Sequence, residues 1–263
     1  MRRLTSTLSF SDPDNQDFLE ELPDTTELAE RARALPTTTT PPTPVTPLLP
    51  VQDYGTRPSR ALPYELHVNS SVDPHSQSIV LRFSNTGRAG AVFHVYDKRH
   101  LDRVPRRYTV EPGKQLDGVW ELDDDRGAYD LWVLGPNGFH RHFVGTSALR
   151  GAARHYRNPE VQVYYDRGRG DLWLKLKNHG HSDCTFELAA NAYFYPGRVR
   201  LEVGAHSERE HYWSLRRSAH WYDFSATVRE LNGFVRRFAG HVETGRDSFS
   251  DPALGGVALA EQS

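Results

Sequence analysis

Two pairs of histidines have a spacing that could begin a metal site. In His140-x-His142 and His179-x-His181 both rings would face the same way if the segment is a strand, because side chains alternate with a period of two. Imidazole is a common ligand of zinc and copper. No third ligand lies nearby in the sequence, and neither pair recurs in the internal repeat of the chain. We therefore interpret these histidines as solvated, and predict no metal and no other cofactor.

Carboxylates and nucleophiles do not form a recognisable reaction centre either. Asp123-Asp124-Asp125 could attract calcium, but an EF-hand needs spaced carboxylates and a distal Glu, so the run predicts a solvated turn. No G-x-S-x-G motif marks a nucleophile. Gly168-Arg169-Gly170 falls within a hairpin signal rather than between a strand and a helix, which argues against a nucleotide-binding loop. The sequence predicts no catalytic residue.

Aromatic residues are the remaining chemical signal. Those that recur in both copies of the repeat are predicted to be core, because a shared fold preserves its packing; they are Trp120/Trp213, Tyr129/Tyr222, Phe139/Phe234 and Phe143/Phe238. Trp132 and the run Tyr193-Phe194-Tyr195 have no such match and are freer to face water. Exposed aromatic rings can hold a quaternary ammonium or lie at a lipid interface. Trp132, Tyr193, Phe194 and Tyr195 are therefore the candidate contacts for lipid or choline.

The elements that must position these residues are encoded twice. The segment 81–87 returns as 174–180, an offset of 93 that also relates Trp120 to Trp213. Self-similarity of this length indicates tandem domains. The later match of 137–139 to 232–234 has an offset of 95, so the second copy carries a small insertion after Asp223, most simply in a turn.

Each copy has the pattern of short antiparallel strands. Ile79, Leu81 and Phe83 would face one way, with Val80 and Arg82 facing the other. Leu172, Leu174 and Leu176 repeat this pattern in the second copy, which indicates burial on one face. Asn137-Gly138 and Asn232-Gly233 are each predicted to form a two-residue type I′ hairpin turn. About seven strands per copy predict an all-β fold of two tandem immunoglobulin-like sandwiches. A mostly disordered N-terminal segment is expected to precede them.

Composition divides the chain into five predicted segments. Residues 1–34 are polar with one short helix, and residues 35–60 form a Thr/Pro-rich linker. The first β-sandwich is predicted at 61–147 and the second at 156–245, followed by a flexible tail at 246–263.

Overall charge and hydropathy exclude several classes of protein. The formal net charge of −2 lacks the basic footprint that nucleic-acid binding needs, so no nucleic-acid partner is expected. Mean hydropathy is −0.65, and no apolar run approaches the length of a transmembrane helix. After Met1-Arg2-Arg3 the sequence turns polar, so no signal peptide is predicted.

Three stretches of the chain resemble a known family. They are 93–97, 105–114 and above all 129–141, Tyr-Asp-Leu-Trp-Val-Leu-Gly-Pro-Asn-Gly-Phe-His-Arg. Together with the second-copy tail at 232–246, they are similar to the C-terminal region of bacterial phosphocholine-specific phospholipase C. In that family two tandem all-β domains follow a large phosphoesterase domain, and the similarity extends over about residues 58–252.

The resemblance implies a function that this sequence does not carry alone. The family hydrolyses phosphatidylcholine or sphingomyelin, with its metal-binding acids and nucleophile in the N-terminal domain. The chain is therefore expected to be a truncated or split phospholipase C that holds accessory domains and is inactive alone. The alternative is a stand-alone lipid- or choline-binding, or structural, β-sandwich module. Expected partners are a phospholipase C catalytic domain and a choline-lipid surface. The family implies a secreted or periplasmic location, whereas the chain as written would stay in the cytoplasm.

Overall fold

The computed structural model describes residues 26–34, 53–73, 76–147, 156–193 and 198–256. The chain divides into two compact units, residues 1–51 and 52–263. In the first unit, the predicted short helix is α1 (Thr26–Ala34), where Glu27 and Arg31 form an i,i+4 ion pair at 3.0 Å. The predicted disorder of the N-terminal segment, and most of the linker, fall outside the described residues. No helix in the described part combines the length and apolar character needed to cross a bilayer.

The second unit is built almost entirely from strands, as predicted. The strands of the first copy and its lead-in are β1 (Pro58–Ser59), β2 (Leu66–Asp73), β3 (Ser78–Asn85), β4 (Ala91–Asp97), β5 (Arg106–Val110), β6 (Lys114–Glu121), β7 (Ala128–Leu134) and β8 (His140–Thr146). Those of the second copy and its tail are β9 (Pro159–Asp166), β10 (Asp171–Asn178), β11 (Cys184–Ala192), β12 (Arg198–Val203), β13 (Ser207–Trp213), β14 (Trp221–Val228), β15 (Leu231–His241) and β16 (Ser248–Phe249).

One long sheet runs through both copies. Its eight strands lie in the order β12-β11-β14-β15-β8-β7-β4-β5, so the last strands of the two copies, β8 and β15, are hydrogen-bonded neighbours. Two three-stranded sheets, β2-β3-β6 and β13-β10-β9, complete the first and second sandwich. All the pairings are antiparallel, which confirms the predicted fold class.

The alternation read from the sequence produces two hydrophobic cores. In β3 and β10 the predicted inward residues are fully buried while Arg82 and Trp173 between them are exposed. One core is formed by buried residues between positions 66 and 143, and the other by buried residues between positions 161 and 242. Of the aromatics predicted as core, seven are buried and Trp213 is partly buried against the second core, which confirms that prediction.

Both cores lie on the same side of the long sheet. Directly opposed residues of an antiparallel pair point to the same face. At the seam Phe238 of the second core faces Arg141, and Phe143 of the first core faces Arg236, and all four are buried. The two three-stranded sheets therefore cover one side of the long sheet, and its other side faces outward.

The two Asn-Gly sequences have different structures. Asn137 and Gly138 both have positive φ, 55° and 70°, as the predicted type I′ turn requires. The prediction for Asn232-Gly233 was wrong, because the β14–β15 turn is at Arg229-Glu230 and Asn232-Gly233 lies within β15. Register there shifts between Thr227 and Val228, a bulge that absorbs the two inserted residues of the second copy.

The segments before β2 and after β15 are clasped together. β1 pairs with β16, Gly55 N donates to Gly255 O at 2.8 Å, and Leu62 N donates to the buried Glu243 carboxylate at 3.0 Å. The segment predicted as a flexible tail thus contains a paired strand, while residues 257–263 lie outside the described ranges.

Candidate functional site

The outward face of the long sheet carries the first histidine pair. His140 and His142 alternate with buried residues of β8, and their ring centroids are 6.4 Å apart. Both rings meet Trp132 of β7 edge to face, and His142 Nε2 lies 2.6 Å from an Asp130 carboxylate oxygen. Strand spacing thus puts both rings on one face as predicted, where they pack against an aromatic ring and an acid.

The pKa of His140 gives a pH prediction. Burial lowers this pKa, the charges of Arg237 and Arg141 lower it further, and it falls to about 4. In the unfolded chain the pKa of this imidazole is about 6.5. Between these pH values the unfolded state binds more protons at His140 than the folded state does. The contribution of His140 therefore lowers the free energy of unfolding as pH falls from about 6.5 to 4. We expect the His140 resonance to titrate near pH 4 by NMR, and His140→Gln to flatten this part of the stability profile. A midpoint near 6.5 would contradict the prediction.

The second histidine pair is not on a strand. β10 ends at Asn178, so His179 and His181 lie in the following turn, where the backbone N–H of each bonds to residues 158 and 156. His181 instead meets His206, with ring nitrogens 2.9 Å apart. The strand-spacing interpretation fails here because the strand ends at the buried Asn178. The Asn178 amide donates to the carbonyl of Ser182 in the turn and to those of Val203 and Gly204 at the end of β12.

The acidic turn is more connected than predicted. Asp97, His100 and Asp125 bring three possible metal-ligand atoms within 4.8 Å of one another. However, Arg99 Nε donates to one Asp125 oxygen at 2.9 Å and His100 Nε2 lies 2.8 Å from the other. Burial opposes ionisation of Asp125, but these two partners outweigh it and hold the pKa of Asp125 below its usual range. The negative charge of the Asp125 carboxylate is therefore already balanced by its neighbours within the protein.

The two aromatic candidates for lipid contact that the structure describes, Trp132 and Tyr193, do not lie in one site. Trp132 is 37 % exposed, and the Lys98 ammonium lies 4.2 Å from its ring centroid. Tyr193 follows β11, has φ of 74°, and donates its hydroxyl to Asp251. β11 and β7 are four strand positions apart in the long sheet, roughly 19 Å at the usual spacing. Phe194 and Tyr195 lie outside the described residues.

The seam between the copies holds two buried arginines related by the repeat. Arg141 Nη2 donates to the Tyr222 hydroxyl at 3.0 Å, and Arg236 Nη2 donates to the Tyr129 hydroxyl at 2.8 Å. Each arginine thus bonds the tyrosine of the other copy. Each also donates to a carbonyl across the β8–β15 seam and lies over a phenylalanine of its own copy. The contacts follow a local pseudo-twofold axis.

The symmetry of the seam is broken by one carboxylate. Arg236 Nε donates to Glu160 at 2.8 Å, and Glu160 also accepts from Ser70 of the first copy at 2.7 Å. Burial alone would lower the pKa of Arg236, but Glu160 outweighs it and holds that pKa above its ordinary value. Arg141 has the Tyr165 hydroxyl instead, and its buried Nε has no partner.

The repeated structure coincides with a family match. The model of a family described as bacterial phospholipase C, C-terminal domain, matches residues 58–146 and, separately, residues 159–241. The chain belongs to this family. The two matched segments take in β1 to β8 and β9 to β15, so each of the two copies corresponds to one phospholipase C C-terminal domain.

The relatives that the chain resembles are longer proteins. The chain is 39 % identical over 252 residues to "Non-hemolytic phospholipase C" of Pseudomonas aeruginosa, covering 96 % of the chain and 36 % of the relative. It is 41 % identical to the protein of that name from Burkholderia pseudomallei, covering 95 % of the chain and 35 % of the relative. "Hemolytic phospholipase C" of Pseudomonas aeruginosa is 37 % identical over 78 % of the chain and 30 % of the relative. The chain spans about a third of the length of these relatives.

The second C-terminal domain also carries an exposed aromatic row that was not predicted from the sequence. Tyr164, Trp173 and Tyr212 are direct cross-strand neighbours on β9, β10 and β13, at 42 %, 38 % and 36 % exposure. A signal for it exists in the sequence. Trp173 lies between the aliphatic residues Leu172 and Leu174, and the repeat counterparts of the three aromatics, Ser71, Val80 and Val119, are not aromatic.

Proposed function

We propose that this chain is a non-catalytic accessory region of a bacterial phospholipase C and acts by packing against the part of the enzyme that holds the reaction centre. The observation that carries the proposal is that both copies match the family's C-terminal domain. In the described ranges, the acid and histidine clusters around Asp125, Asp130 and Glu160 are already paired with arginine or with one another. The proposal includes a secreted or periplasmic location, by analogy with the family.

The fold supports an accessory role because one sheet joins both domains. The continuous sheet and the crossed arginine–tyrosine bonds fix one copy against the other. Such a body can present a large fixed surface to a neighbouring domain.

The proposal is tested by combining the purified chain with the separately expressed portion of the Pseudomonas aeruginosa non-hemolytic phospholipase C that the chain does not match. We expect no turnover of a chromogenic phosphocholine ester by the chain alone, and co-elution of the two proteins on size exclusion. Turnover that survives repurification, or failure of the two proteins to associate, would overturn the proposal. Bovine serum albumin at the same concentration is the control for association.

A second candidate function is contact with choline lipid. The observation that favours it is the exposed Trp132, whose ring already accepts the Lys98 ammonium at 4.2 Å and so presents a cation-binding face. If this ring holds choline headgroups, Trp132→Ala will weaken binding to phosphatidylcholine vesicles. Equal binding by the variant would reject the role of Trp132.

A further inference from the structure

Three aromatic side chains form a continuous strip on the outer face of the second sandwich. Trp173 in the middle strand is directly opposite Tyr164 on one side and Tyr212 on the other. The Trp173 and Tyr212 ring centroids are 5.0 Å apart. Each ring alternates along its strand with residues that face inward, so the strip faces away from the core. We call Tyr164, Trp173 and Tyr212 the aromatic strip.

The fold does not require aromatic rings at these positions. The first copy builds the same three-stranded sheet with Ser71, Val80 and Val119 in register at the corresponding places. Three large rings at more than a third exposure leave apolar surface in water that burial against another surface would stabilise. The difference between the copies therefore points to a function of the second copy alone.

The strip is held in a fixed arrangement. The Tyr212 hydroxyl donates to the buried Asp171 carboxylate, and the Tyr164 hydroxyl donates to Gln162 Oε1 at 2.8 Å. The two tyrosine rings are thus positioned by their own hydroxyl groups and lose little rotamer freedom on contact with a partner. Their faces and edges, rather than their hydroxyl groups, are offered to a ligand.

The lysine beside Tyr164 of the strip is paired with acids. Lys175 lies 6.0 Å from the centroid of the Tyr164 ring, and its ammonium is 3.1 Å from Glu208 and 3.5 Å from Glu210. Because this ammonium is already paired, it is not free to recruit an anionic lipid headgroup. Aromatic rings among paired charges match the interfacial zone of a zwitterionic bilayer, where tyrosine and tryptophan are enriched.

We propose that the aromatic strip is a membrane-contact site that seats the second domain on a zwitterionic phospholipid surface, an inference that rests on the proposed phospholipase C function. The strip faces away from the second core on the short sheet, whereas Trp132 faces outward on the long sheet. The two lie on opposite faces of the fold, so one flat bilayer can contact only one of them.

The first copy supplies the test variant. Tyr164→Ser, Trp173→Val and Tyr212→Val together install the residues that the first copy carries on the equivalent strands. We expect the wild-type chain to co-sediment with phosphatidylcholine vesicles and the triple variant to lose roughly ten- to a hundredfold in partitioning. Val92→Ser is the matched control, because Val92 is 41 % exposed on the outward face of the long sheet, and it should bind as wild type. Circular dichroism and thermal unfolding check that each variant is folded.

Single substitutions keep the test decisive if the triple variant does not fold. Trp173→Val alone should lose part of the binding, and Trp173→Phe should lose most of the fluorescence blue shift that vesicles induce. Equal binding by the folded triple variant would overturn the proposal. Loss of binding in Trp132→Ala or Val92→Ser instead, or retention on a glycan column without vesicle binding, would also overturn it. Association with the catalytic portion is measured on the same variants. If the wild-type chain associates with the catalytic portion but does not bind vesicles, only the membrane-contact proposal is wrong.

Discussion

Replacing Arg236 by Met should cost about 3–5 kcal/mol of the free energy of unfolding, because it leaves the Glu160 carboxylate buried without its cationic partner. Arg236 is completely buried and Glu160 is 4 % exposed, so water cannot take over the lost bonds. The substitution also removes the donor to the Tyr129 hydroxyl across the seam. Urea unfolding followed by circular dichroism measures the loss.

The repeat provides the control for this substitution. Arg141→Met removes an equally buried guanidinium, but one that has no carboxylate and whose Nε is unpaired. The hydroxyl groups of Tyr165 and Tyr222 already bond each other at 2.8 Å and remain paired without it. We expect a change within about 1.5 kcal/mol. Equal losses for the two variants would show that the carboxylate is not the source of the difference.

Phe238→Ala should destabilise both domains together by about 3–5 kcal/mol, since it leaves a cavity in the core at the seam. Phe238 is completely buried, stacks on Phe224 at 5.3 Å and meets Phe143 of the other copy at 6.3 Å. Because β8 and β15 belong to one sheet, we expect a single calorimetric transition for the wild type and for the variant. Its midpoint should fall in the variant.

Phe249→Ala is the matched control, because Phe249 is 50 % exposed on β16, the short strand that pairs with β1. We expect its effect to stay within about 0.5 kcal/mol. Two separate transitions in Phe238→Ala, with only the second domain losing stability, would show that the seam does not couple the copies.

Local periodicity in the sequence was sufficient to predict the strands and the cores. Alternation in 79–83 and 172–176 identified strands and their buried faces, and matching aromatics identified the core. The same reasoning failed at Asn232-Gly233, where the two-residue insertion in the second copy moved the turn upstream and turned a hairpin signal into a bulge. It also failed at His179-x-His181, because a strand end cannot be read from spacing alone.

The joining of the two copies was not predicted, since strand pairing between distant segments leaves no periodic trace. One signal was present: Arg141 falls on the same strand face as Phe139 and Phe143, and Arg236 does so between Phe234 and Phe238. A charge on a core-facing position in both copies indicates a buried polar network. Its partner Glu160 could be identified only from the tertiary structure.

The pseudo-twofold seam has a consequence for a single copy expressed alone. Its last strand would be an unpaired edge that carries the arginine, and the strand beside it carries the tyrosine that receives the arginine of a partner, so one copy holds both halves of the contact. Such an edge is complementary to itself, so the isolated copy should assemble as an isologous homodimer. The present chain would then be a covalently fused version of that dimer, in which fusion freed one half to acquire new surface residues.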